Sequence, residues 1–190
     1  MSINGSINNR SIWKYNRDYE VRIKNGDKEF RGNDRIATAL VIQANLGLRI
    51  GDILNLRLHD IIRDGDRYRL NIVEDKTDKK RSFTVPVEIY NYIKMYVLEN
   101  NIKVTAKIFN ITVRAAQKQL KLVTQHLKLD NISTHSFRKY FATQIYINNN
   151  YNVALVRELL QHSDLKTTQK YINIRTEEIE KALNNHIQLL

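Results

Sequence analysis

Cysteine is absent from the 190-residue chain, which excludes disulfides and thiolate metal sites. No apolar run reaches membrane-spanning length, and the first residues carry no signal-peptide pattern. Internal repeats and low-complexity linkers are lacking as well. These absences lead to the expectation of a soluble, intracellular protein. The length suits one domain, or one domain with a short appendage, and is enough to bury a core without staples.

What the chain has is positive charge, a formal net +11. That balance favours polyanions, with nucleic acid first among them; the plain alternative is charge that serves solubility. Abundant Asn, Ile and Lys hint at an A/T-rich genome. Residues 1–12 are small and polar, and Trp13 to Phe30 alternates aromatics with charges up to the turn signal Asn25-Gly26. The expectation for 1–32 is a partly disordered arm, containing either a short hairpin or irregular chain. Asn33 can cap a helix that Gly47 ends, and a second helix opens near Arg49. Residues 67–74 and 81–85 alternate apolar with polar around a charged tip, which predicts a hairpin. Pro86 fits the first position of the next helix. Thr112, Ser133 or Thr134, Asn152 and Asp164 are cap candidates for four more, the last of them a short helix that includes Tyr171. A final amphipathic stretch runs from Thr176 to Leu189. The class is mainly α with a small antiparallel β-sheet.

Arg49, Lys76, His135, Arg138, His162 and Tyr171 can be read as one site. All but the last are cations or hydrogen-bond donors, and no carboxylate cluster accompanies them, which suits phosphate. His135 and Arg138 stand three apart in the first turns of a capped helix, where side chains share a face and the backbone N–H groups and dipole favour an anion. That dipole also favours a neutral His135. The alternative is a surface helix with two solvated cations. Asp52, three residues after Arg49, can orient a guanidinium whose planar fork binds two phosphate oxygens; the pair can equally be a surface ion pair. Lys76 at the hairpin tip can reach a DNA groove and protonate a leaving 5′-oxygen if nearby cations lower its pKa. Lys79 and Lys80 compete for that role, and a solvated turn is the plain alternative. His162 ends a helix, where a cation is favourable for its own sake. Tyr171 is one of ten tyrosines, most of which are expected to be packing residues. An ordinary phenol titrates near ~10 and needs adjacent cations to act as a nucleophile. Two arginines would supply them and stabilise a five-coordinate phosphorus, so no metal or other cofactor is required.

The order of these residues resembles the catalytic domain of the tyrosine recombinase (phage integrase) family, from about Asn33 to Arg175. Gly47-Leu48-Arg49-Ile50-Gly51-Asp52 is similar to the first-arginine box, Lys76 ahead of Thr84-Val85-Pro86 to the lysine hairpin, and Thr134-His135-Ser136-Phe137-Arg138 to the HxxR box. Leu160-Gln161-His162 through Lys170-Tyr171 resembles the box that ends in the nucleophile, with Gln161 where the family usually has Gly. The resemblance implies that Tyr171 attacks a scissile phosphate and forms a 3′-phosphotyrosyl link. Arg49 and Arg138 would clamp the non-bridging oxygens, His135 would be the acid/base partner, His162 a phosphate hydrogen-bonder and Lys76 the general acid. It implies double-stranded DNA with a specific site as partner, a homotetramer on DNA with a monomer alone left open, no ATP, and work in the cytoplasm on nucleoid or phage DNA. The expected division is an arm (1–32), a catalytic domain (33–175) and a C-terminal helix (176–190) that packs on a neighbouring subunit or on its own domain. Only about 32 residues precede the first helix, fewer than the family's N-terminal core-binding domain needs, which leaves an excised domain and a naturally short member both open. Two other readings compete: a DNA-binding regulator that keeps the fold without recombining, and a type IB topoisomerase.

Overall fold

The computed structural model describes residues 23–25, 28–30, 33–73, 80–162, 165–169 and 171–172. The expectations for residues 1–22, for Lys76, for an Asp164 cap and for the helix after Thr176 lie outside them. The chain divides into two compact units, Met1–Arg138 and Lys139–Leu190, each with its own core.

The first described elements are β1 (Ile23–Asn25) and β2 (Lys28–Phe30), paired antiparallel from Ile23 opposite Phe30 to Asn25 opposite Lys28. Helix α1 (Asp34–Leu46) begins where the Asn33 side chain accepts the Ile36 N–H at 3.2 Å, satisfying a donor that the first turn leaves over. Ala39, Ile42 and Leu46 are buried along one face, and Thr38, Leu40 and Val41 are buried too. α1 is therefore a central helix rather than a surface one. Helix α2 (Ile50–Asn55) follows after three residues, with Ile53 and Leu54 buried.

The sheet has three strands: β3 (Ile61–Asp64), β4 (Arg67–Val73) and β5 (Lys80–Val85), in the antiparallel order β3-β4-β5. The expected hairpin is β4–β5, in register from Tyr68 opposite Val85 to Val73 opposite Lys80. β3 adds a strand that patterning did not reveal, because Ile61-Ile62-Arg63-Asp64 does not alternate. Leu70 in the middle strand is fully buried, and Tyr68 stacks on Tyr90 at 3.6 Å. That stack fixes the sheet to α3 (Val87–Glu99), which buries Ile93, Tyr96 and Val97. Pro86 occupies the cap position of α3, one residue before the expected one. It serves there for the same reason: it has no N–H to leave unsatisfied.

Helix α4 (Val113–His126) is capped by Thr112, whose hydroxyl accepts the Ala115 N–H at 3.2 Å. It buries Ala116, Leu120 and Thr124, whereas Val113 and Leu127 are exposed beyond the reach of the core at its two ends. Helix α5 (Thr134–Asn148) contributes Phe137 to the first core. Burying a Leu, Ile or Phe side chain is worth about 1.5–3 kcal/mol, so this cluster is the main stabiliser of the unit.

The second unit contains the rest of α5, α6 (Val153–Leu160) and α7 (Leu165–Gln169). Its core is Ala142, Tyr146, Val156, Leu160 and Ile172. The Asn152 side chain caps α6 by accepting the Leu155 N–H at 3.0 Å. No helix among the described residues is long and apolar enough to cross a membrane.

Candidate active site

Two groups of site residues are held together by observed contacts, one in each unit. The first is built on the turn between α1 and α2. Gly47 ends α1 in the left-handed region (φ 62°), its N–H returning to the Gln43 carbonyl at 2.9 Å. A side chain there would meet the steric penalty that Gly avoids. Two side chains then pin the turn's carbonyls. Buried Gln43 donates from Nε2 to the Leu48 carbonyl at 3.2 Å, and Arg138 donates from Nη1 to the Gly47 carbonyl at 2.6 Å across 91 residues of sequence. Arg49 comes next, half-buried at the cap of α2, with its carbonyl accepting the Ile53 N–H at 3.0 Å. Asp52 lies in the first turn of α2, buried at 5% exposure.

Arg138 is 1% exposed, the largest of the fully buried side chains among the described residues. The alternative of two solvated cations on a surface helix therefore does not hold for it. His135, in the turn before, is exposed. The start of α5 is closed by Ser136, whose hydroxyl accepts the Ser133 N–H at 3.0 Å, the back-bond that Glu or Gln makes in a capping box. Thr134 is buried at 1%.

The second group surrounds Tyr171. Helix α6 closes with a Schellman pattern: the His162 N–H reaches the Arg157 carbonyl at 3.1 Å and the Gln161 N–H the Glu158 carbonyl at 3.0 Å. This requires Gln161 to be left-handed (φ 51°, ψ 41°). The non-glycine residue ahead of His162 thus takes the backbone shape that a glycine takes without strain. His162 follows at once, half-buried, with Nδ1 3.1 Å from the Thr168 hydroxyl. Its ring meets that of Tyr171 edge-on, with centroids 4.8 Å apart and an interplanar angle of 61°. Tyr171 stands in a turn just beyond α7 rather than within it. α7 stops at Gln169, and the Tyr171 N–H bonds the Thr168 carbonyl at 2.8 Å. The Thr143 hydroxyl donates to the Tyr171 carbonyl at 3.4 Å. In the first unit, burial raises the Tyr96 phenol above its ordinary value against the opposing pull of Arg35, the wrong direction for a nucleophile.

Sequence reasoning missed Gln43, Thr143 and Thr168, and it missed the basic outer face of α4. The outer face of α4 exposes Arg114, Lys118 and Lys121 together with Gln117 and Gln125. A signal was available: residues 100–129 contain six Lys or Arg and no Asp or Glu, so this surface has no internal counter-charge. Among the described residues no three His, Asp or Glu side chains gather as metal ligands would.

The phage integrase family model matches residues 20–178. A probable integrase/recombinase of Acholeplasma phage L2 is 33% identical over 132 residues, covering 66% of this chain and 44% of that protein. Tyrosine recombinase XerC of Caldanaerobacter subterraneus subsp. tengcongensis is 27% identical over 174 residues, covering 84% of this chain and 46% of that one. The chain thus spans about half the length of the curated relatives it matches. Among solved structures, the XerH site-specific recombinase in a post-cleavage complex with palindromic difH substrate superposes with a TM-score of 0.69 at 21% identity, covering 94% of this chain and 51% of that one. The catalytic domain of bacteriophage HP1 integrase does so with a TM-score of 0.60 at 18% identity, covering 95% of this chain and 94% of that one.

Proposed function

The chain belongs to the phage integrase family, and on that premise we propose that it breaks and rejoins DNA at a specific site through a tyrosyl intermediate. The Tyr171 oxygen attacks the scissile phosphorus, the bond to the 5′-oxygen breaks, and a 3′-phosphotyrosyl link replaces the phosphodiester. The departing 5′-oxygen takes a proton, the role given to Lys76. A 5′-hydroxyl from another strand then attacks the link, releases Tyr171 and completes exchange. One phosphoester is exchanged for another at each step, so no nucleotide hydrolysis is needed. Arg49 and Arg138 hold the non-bridging oxygens, where charge builds in the transition state. His135 is the acid/base partner and His162 donates a hydrogen bond to the phosphate.

The observation that carries this reading is the burial of Arg138 against the turn that bears Arg49. A guanidinium removed from water costs several kcal/mol. A protein that only tracked the DNA backbone would keep that cation on its surface, as it keeps Arg114, Lys118 and Lys121. Those three, on a helix without a carboxylate, suit the phosphates of duplex DNA. The reading includes a homotetramer on paired sites and action on nucleoid or phage DNA in the cytoplasm.

Covalent capture tests it. Incubation with a pool of nicked, sequence-randomised duplexes should yield a DNA-linked species that survives a denaturing gel, and Tyr171→Phe should abolish it while binding persists. Tight, selective DNA binding with no covalent species would instead identify a regulator that uses the fold without cutting.

A further inference from the structure

Thr168 has no part in the roles assigned so far, yet it touches both members of the second group. It is fully buried. Its hydroxyl lies 3.1 Å from Nδ1 of His162, and its carbonyl accepts the Tyr171 N–H at 2.8 Å and the Ile172 N–H at 3.2 Å. A neutral imidazole carries one hydrogen on its two nitrogens, and the partner of one ring nitrogen decides where it sits. To donate to a phosphate oxygen from Nε2, His162 must keep its hydrogen there and accept at Nδ1. A hydroxyl donates or accepts; as the donor it satisfies Nδ1 in the accepting role that the phosphate contact requires.

We propose that Thr168 is a positioning residue that fixes His162 as the Nε2–H tautomer, through its hydroxyl, while its carbonyl holds the backbone of Tyr171 beside that ring. The inference rests on the strand-exchange reading, in which His162 faces the phosphate. One threonine then sets both the hydrogen that His162 offers and the place from which the tyrosine attacks. The bonds are short-range, within a segment from His162 to Ile172, so the device is local to this stretch of chain.

The test separates the tautomer from the reaction. Nitrogen-15 NMR of the imidazole, in the DNA-free full chain at a pH where the ring is neutral, should show Nε2 protonated in the wild-type protein. Thr168→Val keeps the branched shape and removes the hydroxyl; it should shift His162 towards a tautomer mixture and slow covalent capture about tenfold, the worth of one such hydrogen bond. Thr168→Ser restores a hydroxyl and should recover both. A wild-type His162 protonated on Nδ1 overturns the proposal even if the valine variant fails to fold. So does a folded valine variant with unchanged tautomer and rate. Absence of covalent capture in the wild-type protein would instead overturn the strand-exchange reading, and the NMR result would still decide the role of Thr168.

Discussion

A buried guanidinium keeps its charge at any accessible pH, so the surroundings of Arg138 have to accommodate a cation permanently. One donor is committed to the Gly47 carbonyl, and because the guanidinium is planar that bond limits where its other donors can point. Lysine retains the charge but has a flexible stem and no planar fork. Arg138→Lys is therefore expected to fold, lose about 1–3 kcal/mol of stability as the Gly47 carbonyl loses its partner, and form the covalent species about 100- to 1,000-fold more slowly. Chemical unfolding and a capture time course read the two effects separately. The spacing of His135 and Arg138 alone left a surface helix with two solvated cations open; the order of all the boxes along the chain singled out this arginine. Its burial and its bond to Gly47 were not legible, since they depend on chain 91 residues away. Thr168 escaped notice for a different reason. Its spacing of six residues from His162 follows no helical repeat, because the chain leaves α6 before α7 begins.

Helix ends were the most readable elements. Asn33, Thr112 and Asn152 each cap the helix they precede, because a cap is written within three residues of sequence. The strand β3 was not readable: its burial runs buried, exposed, exposed, intermediate, so its place comes from pairing with β4 and not from its own pattern. Two helix ends make the same demand for left-handed backbone and meet it with different residues. At the close of α1 the position is held by Gly47 (φ 62°), and Gly47→Ala should destabilise the protein by about 1–2 kcal/mol. At the close of α6 it is held by Gln161 (φ 51°), and Gln161→Gly should stabilise by up to about 1 kcal/mol. Thermal midpoints of the two variants should move in opposite directions; the same direction for both would show that side-chain contacts, not backbone strain, decide these ends.

At the scale of the molecule, the charge of +11 becomes useful only where it is exposed and unopposed, and α4 meets both conditions. Each phosphate contact releases counterions, so affinity should fall linearly with salt on a logarithmic scale. Replacing Arg114, Lys118 and Lys121 together with Gln should flatten that slope by about 2–3. Filter binding across a salt series would show it, and an unchanged slope would place the DNA elsewhere. The first unit carries this surface and the arginine turn, and the second carries His162 and Tyr171. Family membership was legible from motif order, and the mainly α class with a small antiparallel sheet from hydrophobic period. The allotment of site residues to two cores was not, since composition changes little along the chain. The strained Gln161 also bears on how such a chain changes over generations. By the shortest route, two base changes, a glutamine codon reaches a glycine codon through glutamate or arginine, and neither relieves a left-handed backbone, so the relaxed form lies across a step that brings no benefit by itself.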